Sequence, residues 1–233
     1  MSQMFERVTL SGMALLLSLT AHAEPDLSGI WMLAGRVTES EVQLTDEALR
    51  IQANYDLLSD DPSLYCEPAS TSRVWANPNV RIAFDQSTDR ILISYEFYDL
   101  RRDIPLGVPA DISGYPSTRN VDGTHFSKMG SSVAWYEDNH LLIETRNHSR
   151  GYIRTSRGIP QSENSVTTER LWIENGDLRL TLTYVDDLLF DAPFVLEHRF
   201  EKLESSELPL YNCTDADYDW FEKLNAPATG ESS

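Results

Sequence analysis

Residues 165–186 read SVTTERLWIENGDLRLTLTYVD, two long arms around an Asn-Gly pair. An Asn-Gly pair adopts positive φ at both positions at little cost, which suits the type I′ turn joining two antiparallel strands. In the second arm Leu178, Leu180, Leu182 and Tyr184 recur with period two, so they share one face of a sheet. A helix would scatter them around its circumference. The stretch is therefore a β-hairpin with a face to bury, and such a face needs more sheet around it.

The rest of the chain supplies that sheet. SSVAWYE and HLLIETR make a second hairpin around Asp138-Asn139. A first strand is expected over Ser28–Ala34 with Trp31 as an apolar anchor, another over Val80–Asp85, and a short one over Arg101–Pro105. RILISYEFYD alternates through Ile91, Ile93, Tyr95 and Phe97, and APFVLEHRFEKL alternates through Phe194, Leu196, His198 and Phe200. One helix interrupts the series: Leu44, Ala48, Ile51 and Tyr55 fall on one side of a turn pattern that Thr45 can cap. The following SDDPSLYCEPAS reads as a proline-punctuated loop, and 105–123 as a long surface excursion. Eight or nine strands on short turns predict an all-β fold, a single antiparallel barrel with one short N-terminal helix; a β-sandwich is the alternative. The expected domain runs over 24–224, with a flexible tail at 225–233.

Residues 1–23 carry Arg7, an apolar run through Met13–Leu17 and the small residues Ala21 and Ala23, the pattern of a secretory leader cut near Ala23. The apolar part is too short for a permanent membrane helix, and no lipid-anchor cysteine follows. The expected location is the periplasm or outside the cell, with no membrane anchor. With 37 acidic against 19 basic residues the formal charge is −18, which repels phosphate backbones, so nucleic acid is not an expected partner. Export also bears on Cys66 and Cys213, the only two cysteines. In an oxidising compartment such a pair reads as one disulfide before a catalytic thiol or a two-ligand zinc site. Closing that loop would stabilise the fold by about 4–5 kcal/mol in the chain-entropy model.

Gly29-Ile30-Trp31 on the first strand and Arg199 late in the last resemble the lipocalin G-x-W pattern, which implies a tryptophan at the barrel base with an arginine packed over it. The order DLSGIW, DDPSLYCEP, DRILISYE, SSVAWYEDNHLLIET, GIPQSENSVTTERL and LPLYNC is similar to a large group of exported bacterial proteins of unassigned function. That group has G-H-S where this chain has Gly130-Ser131-Ser132. The resemblance implies an exported chain with this cysteine spacing, and no activity.

Candidate site residues follow from the faces. Tyr95, Phe97, Tyr184, Phe194 and Phe200 are expected to line the barrel. The block LLIETRNHSRGYIRTSRG gathers Glu144, Arg146, His148, Arg150, Tyr152 and Arg154; its cations either hold a carboxylate or sulfate of a ligand or pair with the chain's surplus acids. Glu169 alternates with Leu171 and Ile173, while Arg170 alternates with Trp172, so one charge shares a face with buried apolar residues. It is either a site or half of a structural ion pair, with Arg170–Glu144 as the pair to look for. Asp60-Asp61 and Asp186, Asp187 and Asp191 lack cation-loop spacing and read as turn chemistry. Nothing implies a cofactor or a metal. The main functional reading is a lipocalin-like protein that binds a small lipophilic molecule, with or without an anionic group, in contact with Tyr95, Phe97, Arg146, His148, Arg170, Trp172, Tyr184 and Phe200. The alternative is an acid–base enzyme (isomerase, cyclase or lyase) with Glu144, Glu169 or His198 moving the proton. A third reading is an accessory subunit of an exported complex.

Overall fold

The computed structural model describes residues 24–205 and 207–214. The expected leader 1–23, the end of the expected domain beyond 214 and the tail 225–233 lie outside the described residues.

In chain order, strands β1 (Gly29–Leu33) and β2 (Thr38–Glu39) precede helices α1 (Asp46–Ala53), α2 (Leu57–Asp60) and α3 (Thr71–Trp75). Strands β3 (Arg81–Gln86), β4 (Arg90–Tyr95), β5 (Arg101–Pro105) and β6 (Thr118–Arg119) follow, then the hairpin β7 (Ser131–Glu137) and β8 (His140–Arg146). A small hairpin β9 (Gly151–Arg154) and β10 (Ile159–Gln161) leads into β11 (Val166–Glu174), β12 (Asp177–Val185) and β13 (Phe194–Leu203). The main sheet runs β6-β5-β4-β3-β1-β13-β12-β11-β8-β7, while β2 continues beside β13 beyond the end of β1 and β9–β10 stand apart. Every named pairing is antiparallel. The two anticipated turns are present with positive φ at both positions, 48° and 61° at Asp138-Asn139 and 54° and 86° at Asn175-Gly176.

The sheet curls into the expected barrel, but its hydrogen-bond ladder does not close. The chain leaving β5 meets β7 through a single parallel bridge, Leu106 with Ala134, and the Gly107 N–H donates to the Ala134 carbonyl at 2.9 Å. The 105–123 excursion stitches this seam: the Ser117 N–H donates to the Gly130 carbonyl at 3.0 Å, the Ser131 hydroxyl to the Tyr115 carbonyl at 2.7 Å and the Asn147 amide to the Ser113 carbonyl at 2.9 Å. These contacts satisfy backbone groups that an open edge would leave bare.

The helical content differs from the single helix expected. Thr45 does cap α1, accepting from the Ala48 N–H at 3.2 Å. Beyond it, Asp56, Asp61 and Ser70 cap three further short helical turns, accepting from the N–H groups of Leu58, Ser63 and Arg73 at 2.9, 2.9 and 3.1 Å. Aspartate and serine suit both caps and loops, so the composition of 56–70 could not separate the two. Strand β4 also ends earlier than its alternation suggests, because Tyr98 and Asp99 take φ of 55° and 53° and turn the chain out of the sheet.

Helix α3 carries Trp75 into the barrel core. Trp75 is fully buried among Phe84, Tyr95 and Phe200, with ring centroids 6.1, 5.3 and 5.6 Å away. Trp31 is also buried, and its indole N–H donates to the Leu27 carbonyl at 2.9 Å. The cation over its ring is Lys202, with Nζ 5.3 Å from the centroid, and not Arg199, which pairs with Asp177 at 2.9 Å and with Glu201 at 3.1 Å. The expected packing of Arg199 is thereby corrected: its side chain lies on the outer face, since it alternates with the buried His198 and Phe200. Cys66 and Cys213 form the disulfide, with Cα atoms 5.9 Å apart.

Candidate functional site

The barrel interior holds the most concentrated polar chemistry of the fold. Glu169 points inward from β11, and Arg102 from β5 meets it with two hydrogen bonds, Nη1 to Oε1 at 2.8 Å and Nη2 to Oε2 at 2.6 Å. The Trp75 indole N–H also donates to Glu169, and the Arg102 guanidinium donates to Thr145 Oγ1 at 2.8 Å and Ser132 Oγ at 3.0 Å. Both charges are fully buried. Burial alone would lower the pKa of Arg102, but the Glu169 carboxylate outweighs it and holds the guanidinium charged above its ordinary range. Tyr95 and Tyr184 border the pair, and burial pushes both hydroxyls well above the usual tyrosine range. Tyr184 accepts from the Ser72 N–H at 3.0 Å, which ties α3 to β12. With Tyr95, Tyr184 and Phe200 each at most 1% exposed, this part of the bore is occupied by the chain's own side chains.

The sequence required one of Glu169 and Arg170 to point inward without deciding which; it is Glu169. The pair is Arg102–Glu169, not Arg170–Glu144. Arg102 carried a readable signal, because it shares a strand face with Ile104 and so had to point the same way. Glu144 and Arg170 lie on the opposite strand faces from Ile143 and Glu169, and face outward. Glu144 pairs with the exposed Arg146 at 2.7 Å, while Arg170 reaches His140 Nδ1 at 3.3 Å and Trp172 leans on the same imidazole, 5.5 Å between rings.

The three proposed proton-transfer groups therefore do not converge. Glu144 is outside, Glu169 is locked to Arg102, and His198 is buried on β13 beside Phe200. Burial, aided by the nearby Arg154 charge, pushes the His198 pKa down to about 3. His148 is also buried, its Nδ1 3.1 Å from the Lys128 carbonyl, and burial lowers its pKa. Phe97 has left the barrel to stack on Tyr98 at 3.8 Å, with the Arg73 guanidinium 5.3 Å from its centroid. The expected ligand contacts are thus split between the filled bore (Tyr95, Tyr184, Phe200), the outer sheet face (Arg146, Arg170, Trp172) and separate packing sites (Phe97, His148). The arginine-rich block assembles no anion site either. Arg150 pairs with Glu163 at 3.8 Å, Arg154 with Glu39 at 2.8 Å, and Arg157 with the same Glu39. Of the aspartates, Asp186 is buried and accepts from Ser162 and Ser165 hydroxyls at 2.5 and 2.6 Å, a turn-holding role.

The space able to hold a small molecule is elsewhere. A cleft of about 620 Å³ opens between α1 and α2 on one side and the β9–β10 hairpin on the other, with Leu188 and Leu189 at its end. Its apolar wall comes from Ile51, Pro62, Pro160 and the two leucines, and its aromatic wall from Tyr65 and Tyr152. Tyr152 is held edge-on by Tyr55, with centroids 4.4 Å apart. Gln161, nearly fully buried, also lines it; its amide nitrogen donates to the carbonyls of Lys128 and Ser149 at 3.0 and 3.1 Å, while its Oε1 accepts from no described residue. Two smaller clefts of about 420 Å³ lie on the outer face beside Trp172 and Arg179 and around the disulfide. The sequence did not reveal the larger cleft because α2, the turn after it and the β9–β10 hairpin, which form much of its wall, read as loop.

No protein-family model matches the chain, and no curated protein matches it. Among solved structures, the chain is similar to the wild-type fluorescent protein UnaG, with 14% identity and a TM-score of 0.37 over 76% of this chain and 97% of that one. It is also similar to a secretary abundant heat soluble protein from Ramazzottius varieornatus, with 11% identity and a TM-score of 0.39 over 78% and 98%. A third is apo lipid binding protein 8 of Caenorhabditis elegans, with 12% identity and a TM-score of 0.33 over 76% and 94%.

Proposed function

We propose that this is an exported protein that binds a small, largely apolar molecule, and that it does so in the cleft between the helical layer and the β9–β10 hairpin, not in the barrel bore. The observation that carries the reading is the cleft itself. Its volume of about 620 Å³ falls within the range of small-molecule sites, and it combines an apolar wall from Ile51, Pro62, Pro160, Leu188 and Leu189 with an aromatic one from Tyr65 and Tyr152. Acid–base catalysis is not part of the proposal, since Glu144, Glu169 and His198 face apart. Export rests on the leader pattern of residues 1–23, and cell fractionation with N-terminal sequencing of the mature chain checks it; a product retaining Met1 in the cytoplasm would refute it.

Native mass spectrometry and thermal-shift screening against lipophilic small molecules test the binding. A ligand found this way should lose at least tenfold in affinity on Ile51→Trp, which fills the cleft, and on Tyr152→Ala, which removes its aromatic wall. Unchanged affinity in both folded variants would place the site elsewhere.

A further inference from the structure

We infer that the cleft has an occupant within the chain itself: the segment 218–224 docks Trp220 and Phe221 there, and a small molecule must displace them to bind. The inference rests on the cleft reading above and adds its regulation. The disulfide sets the place. Cys213 stands 5.9 Å from Cys66, Cα to Cα, and the sequence neighbours of Cys66, Tyr65 and Glu67, both line the cleft. The described residues end at Thr214, directly after the bond, so the chain leaves the described fold beside the rim of the cleft. Trp220 lies seven residues beyond Cys213, a reach of up to about 23–25 Å. So short a tether holds the segment at a local concentration on the order of millimolar, where even weak docking competes with a free ligand.

Composition and charge fit the same path. Residues 215–224 read DADYDWFEKL, with Tyr218, Trp220, Phe221 and Leu224 close together after an acidic start. The cleft leaves matching side chains open, Tyr65 at 60% and Leu188 at 48% exposed, beside Ile51, Pro62 and Pro160. Each aromatic ring that enters removes about 150–250 Å² of its own surface from water. Asp215, Asp217 and Asp219 come first in the segment, and Lys128, which bridges to Glu67 at 3.4 Å, is a lining cation beside the tether. That pair is partly exposed, so sharing Lys128 with another carboxylate costs little. Lys223 follows the aromatics, and Asp60 on the cleft wall has no cation partner among the described residues; its Oδ2 accepts the Asp56 N–H at 2.8 Å. The smaller cleft around the disulfide is the competing place. Asp99 and Asp122 line it and no cation does, so it opposes the acidic start of the segment.

Nuclear Overhauser effects from the Trp220 indole to the methyls of Ile51 and Leu189, measured in the unsubstituted full chain, test the docking directly. N-phenyl-1-naphthylamine, a neutral lipophilic dye, tests the competition. It should bind at least threefold tighter to the Trp220→Ser, Phe221→Ser double variant than to the unsubstituted chain, and adding Ile51→Trp should abolish that gain. Indole contacts to Val121 or Leu210 would put the segment in the smaller cleft and overturn the inference. Contacts seen only between differently labelled copies would overturn it too, because the occupant would then be a second molecule. If the dye binds both chains equally and loses affinity on Ile51→Trp in each, the cleft takes a small molecule alone; the inference fails and the cleft reading stands. Indole contacts to Ile51 with no dye binding in either chain would uphold the segment as occupant and remove the small-molecule reading.

Discussion

Glu169 and Arg102 are each fully buried, and each is tolerable only because the other is there. Removing one partner leaves an uncompensated charge in the bore, which costs about 3–5 kcal/mol. Glu169→Ala is therefore expected to lower stability by that amount in denaturant unfolding, whereas replacing both residues with leucine should cost much less than the sum of the single changes. Additive losses would show that the two are not coupled. His198 makes a different prediction. Its folded pKa of about 3 lies below the value near 6.5 of an exposed histidine, so the unfolded chain takes up a proton first. No stability is lost from this group above pH 6.5; the loss grows as pH falls toward 3, reaching about 2 kcal/mol at pH 5. His198→Leu should flatten that part of the stability profile, and an unchanged acid slope would refute the assignment. At this scale period-two alternation placed His198 among inward apolar residues and required one of Glu169 and Arg170 to share such a face. It could not name Arg102 as the partner, because the pairing joins strands 67 residues apart.

At the scale of elements, the two long hairpins were the most legible part of the fold, since two-residue turns declare both the register and the buried face. The β11–β12 hairpin runs in unbroken register from Val166 opposite Val185 to Glu174 opposite Asp177. Gly176 closes it at φ 86°, with nothing within 4 Å of where a Cβ would stand. Gly176→Ala should thus cost about 1–2 kcal/mol from backbone conformation alone, with no steric contribution. A neutral effect on the melting temperature would mean that the turn relaxes into another type. The helical layer was the least legible, and for a reason of the same kind. Asp61-Pro62 opens a turn with an N-cap and a proline at the first helical position, an arrangement that composition alone cannot distinguish from loop. Because those turns form one wall of the cleft, the candidate site was obscured along with them.

Across the whole molecule, two devices brace the open barrel besides its ladder. One is the stitched seam between β5 and β7; the other is the disulfide, which clamps residues 207–214 against the side of the barrel. Tyr211 packs edge-on to Phe97 and Tyr98 at 5.3 and 5.6 Å, and its N–H donates to Asp99 at 2.8 Å, so the strap covers the point where the chain leaves β4 through two left-handed residues. Cysteine count and the leader pattern made the bond itself foreseeable, but not what it covers, which depends on the break at Tyr98 and Asp99. The bond spans 147 residues, a loop long enough for about 4–5 kcal/mol of stabilisation in the chain-entropy model. Burial pushes the Tyr98 hydroxyl pKa up to about 12, with Ser63 accepting its hydrogen bond. Replacing both cysteines with serine should lower stability by several kcal/mol and, in the folded protein, bring the Tyr98 titration back toward the ordinary tyrosine value as the strap comes away. A stability loss without that return would mean that the strap stays docked on its own contacts, and that the bond acts only by restraining the unfolded chain.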